Sequence, residues 1–160
     1  MGRTSGRTRM LLMSAGLVLA LSLASCADET KAAAPEGPGI ALSADKPSYS
    51  PGQQVKVTLT NTTQDGAGYN LCFAFLELQR QSGDNWETVR GADLSPPGSE
   101  VIACTTELRF LPPDQTVSGP AHLPADLPNG TYRLTHEVEV GNEIGENRQE
   151  IATEGFTVVR

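Results

Sequence analysis

Three kinds of side chain here could do chemistry: cysteines, histidines and a local concentration of glutamates. Cys26, Cys72 and Cys104 are the three thiols of the 160-residue chain. A thiol can be alkylated, oxidised to a disulfide or bound to a metal. Their spacing matches neither the C-x-x-C of redox catalysts nor paired zinc-ligand motifs. His122 and His136 are the two histidines. They could ligate copper or zinc if brought together, but no metal-ligand spacing surrounds either, so each reads first as a hydrogen-bonded core or rim residue. Glu137, Glu139, Glu143, Glu146 and Glu150 gather around one hairpin. They could form a calcium or cationic-partner surface, or simply a solvated strand face. No D-x-D-x-D-G loop supports calcium. No G-x-S-x-G elbow or other nucleophile signature occurs, so the sequence predicts no catalytic residue, no enzyme and no cofactor.

The three thiols part company when their surroundings are read. Met1–Arg9 is polar with Arg3, Arg7 and Arg9, and Met10–Ser25 is an apolar run. At about 16 residues that run is short for a membrane span and right for the apolar core of a signal peptide. It ends in Leu23-Ala24-Ser25-Cys26. This box resembles the lipobox of bacterial lipoproteins: an apolar residue, two small residues, then cysteine. The resemblance implies that 1–25 is a cleaved lipoprotein signal peptide. It also implies that the Cys26 thiol carries a diacylglyceryl group, with palmitate-like acyl chains holding the protein to a membrane. Each buried CH₂ would contribute roughly 0.8 kcal/mol to that anchorage. The export arginines are not adjacent, so the twin-arginine route is not indicated. The residue after Cys26 is Ala27 rather than Asp. In a two-membrane cell this leans toward the outer membrane; in a single-membrane cell the anchor would lie on the outer face of the cell membrane.

Export changes the arithmetic of the remaining residues. Cys72 and Cys104 would meet an oxidising compartment. With Cys26 acylated they form the one remaining pair, and a disulfide between them is expected to stabilise by roughly 3–4 kcal/mol. Two separate buried thiols are the alternative. All 19 acidic residues lie after Cys26, against 9 bases once the three signal arginines are gone, so the exported chain carries a net charge of −10. Nucleic acid is excluded as a partner by that charge. The expected partners are the membrane, through Cys26, and another envelope protein or polymer.

Segment 26–39 (CADETKAAAPEGPG) is small, polar and punctuated by Pro and Gly, and is expected to be a flexible spacer after the lipidated cysteine. Residues 40–160 are the domain that must position the candidate groups. Their pattern is that of short strands between Gly/Pro turns, with no amphipathic helix. Ile40–Ala44 is an edge strand, followed by a proline-bounded turn at Lys46–Gly52. Gln53–Asn61 alternates, with Val55, Val57 and Leu59 inward. Tyr69–Arg80 is apolar on both faces and reads as a continuous central strand, with Cys72 on the inward side. Ser82-Gly83-Asp84-Asn85 turns the chain into Trp86–Arg90. Val101–Leu111 places Ile102, Cys104, Leu108 and Phe110 on one face. Thr116–Leu123, broken by Gly119 and Pro120, belongs at an edge. Thr131–Val140 sends Tyr132, Leu134, His136, Val138 and Val140 inward, and Thr135, Glu137 and Glu139 outward. Gln149–Val159 closes the domain with a shift of parity that predicts a bulge near Gly155.

The fold expected is an antiparallel β-sandwich of about seven to eight strands. Leu127-Pro128-Asn129-Gly130-Thr131-Tyr132-Arg133-Leu134 looks like the approach to strand F of immunoglobulin-like domains, where Tyr132 would be the tyrosine of the corner that bonds back to the turn. Residues 40–160 resemble the bacterial immunoglobulin-like domains of secreted proteins and lipoproteins. That resemblance is carried by Tyr49–Val55 leading to Asn61, by Leu111–Thr116 and by Leu127–Leu134. It implies a non-catalytic binding or structural module. A protease-inhibitor-like protein and a metal-binding accessory protein of the envelope are the alternatives. Asn61-Thr62-Thr63 and Asn129-Gly130-Thr131 match the glycosylation sequon and read as turn residues.

Overall fold

Strict alternation makes Gln54–Asn61 (β3) a strand with one dry face. Val55, Val57 and Leu59 are fully buried, while Gln54 and Lys56 are exposed. That face needs a cover, and the covering layer is a second sheet, so the domain is a β-sandwich. A computed structural model describes residues 39–98, 104–141 and 147–160. The segment 1–25 expected to be a signal peptide, Cys26, the expected spacer up to Pro38, residues 99–103 and the predicted loop glutamates Glu143 and Glu146 lie outside the described residues.

The first sheet has three strands. Ile40–Ala44 (β1) and Thr116–His122 (β8) flank β3, both antiparallel to it. Both are edges, as their sequences predict. β8 tolerates Pro120 because its missing N–H faces no further strand.

The second sheet is built on Gly130–Val140 (β9). On one side β9 pairs with Leu76–Ser82 (β5) and, at its far end, with Ala67–Tyr69 (β4). On the other side it pairs with Arg148–Ala152 (β10) and Phe156–Val158 (β11). Asn85–Thr88 (β6) extends the sheet from β5, Arg109–Leu111 (β7) from β4, and Ser48–Tyr49 (β2) lies parallel to β11. The ladder β1-β3-β8 against β5-β9-β11 is the A-B-E against C-F-G arrangement of an immunoglobulin-like sandwich. The domain is all-β and immunoglobulin-like.

Tyr132, Leu134 and Val138 from β9 and Leu76 and Leu78 from β5 meet the β3 valines across the core, joined by Tyr49, Phe156 and Val158. Tyr49 packs edge-on against Phe156 with ring centroids 5.1 Å apart. The Tyr132 hydroxyl donates to the Pro128 carbonyl at 2.8 Å, the back-bond of a tyrosine corner. β5 and β6 are joined through Gly83 and Asp84. Gly83 has φ 61° and Asp84 a negative φ, which is the II′ pattern that matches strand twist.

Departures from the sequence pattern occur where a local choice was overruled. Lys46–Gly52 is not only a turn: Ser48 and Tyr49 pair with Thr157 and Val158. Gln149–Val159 divides into β10 and β11. From Ala152 to Phe156 the chain advances four residues while β9 retreats three, from Thr135 to Tyr132, so one extra residue bulges out around Gly155, as the parity shift predicts. In 104–111 the face expected to be inward is not buried, and Glu107 and Arg109 on the other face are exposed as well. Leu111 is buried opposite Ala67, whereas Leu108 and Phe110 are 40% and 62% exposed. Only Arg109–Leu111 of this segment is strand. Tyr69–Arg80 is not one strand, and that difference creates the candidate site.

Candidate functional site

On the side of β10 and β11 the pairing of β9 is interrupted by a single extra residue, whereas on the side of β4 and β5 it breaks. Gly68 stands opposite Glu139, and the next partner along, Leu76, stands opposite His136. Between them the seven residues Tyr69–Phe75 span only Glu137 and Val138. The excess chain bulges out of the sheet and winds through a short 3₁₀ helix at Phe73–Phe75. Apolar residues on both faces suggested a buried strand; instead Ala74 and Phe75 are exposed, Phe75 at 40%.

Three attachments hold the bulge. Cys72 is disulfide-bonded to Cys104, with Cα atoms 5.9 Å apart, so the two thiols expected to pair do so. The bond joins the bulge to the segment 104–108 rather than strand to strand. Both half-cystines are partly exposed, not inward on regular strands. Asn70 Nδ2 donates to the carbonyls of Thr105 and Glu107. Leu71 reaches the opposite sheet: a Cβ at Gly119 would lie 3.0 Å from the Leu71 carbonyl oxygen. That close approach explains a glycine in the middle of β8.

The result is a groove of about 620 Å³. Phe75 and Leu108, both partly exposed, and Ala74 and Thr106 border it, and Thr135 and His136 line it from β9. Its charged residues are Glu77, Glu137, Glu139 and Glu150, against Arg148 alone. Arg148 Nε lies 3.3 Å from Glu139 Oε1. Glu139 is 9% exposed, not outward into solvent as alternation suggests: it lies between Gly68 of β4 and Arg148 of β10. Glu137 and Glu150 stand directly opposite one another on β9 and β10, and Glu77 is the diagonal neighbour of Glu137. None of these three makes an ion pair or side-chain hydrogen bond with another described residue. Like charges directly opposed destabilise a sheet, so this placement is locally unfavourable.

His136 is 3% exposed. Its Nδ1 lies 3.1 Å from the Phe75 carbonyl, tying β9 to the end of the bulge. Its Nε2 is buried without a partner. Burial pushes its pKa below the ordinary histidine value, opposed in part by the Phe75 carbonyl and the Glu137 charge. His122 lies on β8 in the other sheet, with its backbone N–H bonded to Leu94 and its Nδ1 likewise buried and unpartnered. The histidines thus belong to different sheets, and among the described residues no group of three or more His, Cys, Asp or Glu could hold a metal.

Further along the same sheet face the polar groups are matched. Arg133 Nε donates to Gln79 Oε1 at 2.7 Å, and its guanidinium lies over Trp86, 4.6 Å from the ring centre. The sequon residue Asn61 is fully buried. Its Nδ2 donates to the carbonyls of Asp65, Leu111 and Pro112, and its Oδ1 accepts from the backbone and hydroxyl of Thr63. It is a structural hub rather than an acceptor for a glycan. The groove is not legible in the sequence because alternation assigns its walls, Phe75 and Leu108, to the core. The signal is Asn70 within an apolar run, since a side-chain amide does not fit a strand covered on both faces.

No family model matches the chain, and no curated protein matches it. Solved structures similar to it include Spo0M, a sporulation control protein from Bacillus subtilis, at 13% identity and TM-score 0.42, with 76% of this chain and 49% of that one covered. The ASH/PapD-like domain 7 of human CEP192 aligns at 13% identity and TM-score 0.37, covering 94% of this chain and 99% of that one. AvmM, which catalyses macrocyclization in alchivemycin A biosynthesis, aligns at 14% identity and TM-score 0.36, covering 76% and 88%. The chain spans about half the length of Spo0M. At such identities the likeness goes no further than the fold.

Proposed function

We propose that this protein is a non-catalytic binding module, exported and held at the outer surface of a membrane by acyl chains on Cys26. The anchor rests on Leu23-Ala24-Ser25-Cys26 at the end of the apolar run. The binding reading rests on one observation: the groove beside the bulge combines exposed apolar walls with carboxylates that no described residue pairs. A partner is what such a surface lacks. The expected partner is another envelope component.

The two halves of the reading are tested separately. Labelled palmitate should be incorporated into the wild-type chain and lost in Cys26→Ser, which should also leave the membrane fraction. Equal membrane retention of both would remove the anchor. For the binding half, a photo-crosslinking residue is placed at Leu108 in intact cells, with Ser118 on the opposite sheet as control. The reading expects a discrete adduct from position 108 only. The same pattern from both positions, or none from 108, contradicts it.

A further inference from the structure

We infer that the groove takes a cationic segment of a partner polypeptide, with a lysine or arginine seated among Glu77, Glu137 and Glu150. This rests on the binding reading above and names the chemistry of its partner. Charge complementarity selects the occupant: four carboxylates and one guanidinium line the groove, and the guanidinium lies beside one of the four. Glu137 and Glu150 oppose one another directly, so they repel until a cation stands between them. Lysine and arginine also carry an apolar stem, which can pack on the exposed Phe75 ring and Leu108 side chain that border the same groove. His136, 3% exposed, lines the same groove with its buried Nε2 unpartnered, a polar group the fold leaves unsatisfied there. The disulfide and Asn70 tie the wall bearing Leu108 to the bulge, which lowers the ordering cost of binding.

An acidic or uncharged partner would leave the carboxylate pair unrelieved. A second copy of this chain would bring a strongly acidic surface to an acidic groove.

The test continues from the adduct formed at position 108 of the full-length chain in cells. The crosslinked segment is identified by mass spectrometry, and a synthetic peptide of that segment is titrated against the full-length chain in detergent. The inference expects a lysine or arginine within the segment and an affinity that falls with salt. In Glu77→Gln/Glu137→Gln/Glu150→Gln it should fall about tenfold, three exposed pairs each contributing roughly two- to threefold. The melting temperature of that triple variant should not drop, since the substitutions relieve repulsion. Replacing the peptide's basic residue by norleucine should cause a similar loss. An acidic or uncharged segment, an adduct to a second copy of this chain, or an affinity unchanged in the triple variant overturns the inference while leaving the binding reading intact. Absence of any adduct overturns both.

Discussion

Two places in this domain depart from regular sheet, and they treat their polar groups oppositely. At the Asn61 turn every side-chain valence is used: one buried amide gathers three carbonyls and a threonine. At the Tyr69–Phe75 bulge the backbone is pinned as firmly, but Glu77, Glu137 and Glu150 have no described partner, and His136 Nε2 is buried and bare. A satisfied polar cluster specifies a fold. A rigid but unsatisfied one is what a binding site looks like before its ligand arrives. The matched pair Arg133 and Gln79 shows that the same sheet face can satisfy its polar groups internally.

The largest effects should come from the pins. Replacing both Cys72 and Cys104 by alanine should lower stability by about 3–4 kcal/mol in urea denaturation, given a 32-residue separation. It should also release the wall bearing Leu108 and weaken capture there. Asn61→Ala should remove about 3 kcal/mol, because several buried groups lose their partner at once. Peptide affinity per folded molecule should be unchanged, as the hub does not touch the groove. Gly119→Ala should destabilise by about 1–3 kcal/mol, since the new methyl meets the Leu71 backbone, which cannot rotate away.

The bulge side should also respond to pH. His136 has a folded pKa below its ordinary 6.5. Between those values the unfolded chain binds a proton that the folded chain does not. Stability is therefore full above pH 6.5 and falls as pH drops below it, by at most about 1.4 kcal/mol per pH unit until the folded pKa is reached. His136→Gln, which can still donate to the Phe75 carbonyl, should flatten that part of the profile. A slope unchanged in the variant would assign it to other groups. The smallest effect is the most telling in sign. Glu137→Gln should raise stability by about 0.5 kcal/mol in a thermal melt, because it removes a like-charge pair across β9 and β10.

Much of this was legible in residue order. Alternation placed β3 and the inward face of β9. The parity shift near Gly155 gave the bulge between β10 and β11, and Thr131-Tyr132 marked the corner. The bulge at Tyr69–Phe75 was not legible, because an apolar run looks the same whether both faces are covered or the chain leaves the sheet. What decides is the disulfide to Cys104 and the reach of Leu71 to Gly119, and neither long-range contact is written locally. Leu108 and Phe110 misled for the same reason. Alternation fixes which residues share a face but not which face is dry, and the pairing of Leu111 with Ala67 settled it.

The most direct test of the contrast between hub and groove measures binding and melting in the same samples. The captured peptide is titrated against wild type, Asn61→Ala and Glu77→Gln/Glu137→Gln/Glu150→Gln, each followed by a thermal melt. The account predicts that the hub variant loses stability and keeps affinity, while the triple variant keeps or gains stability and loses affinity about tenfold. Affinity that tracks stability across all three proteins would contradict it.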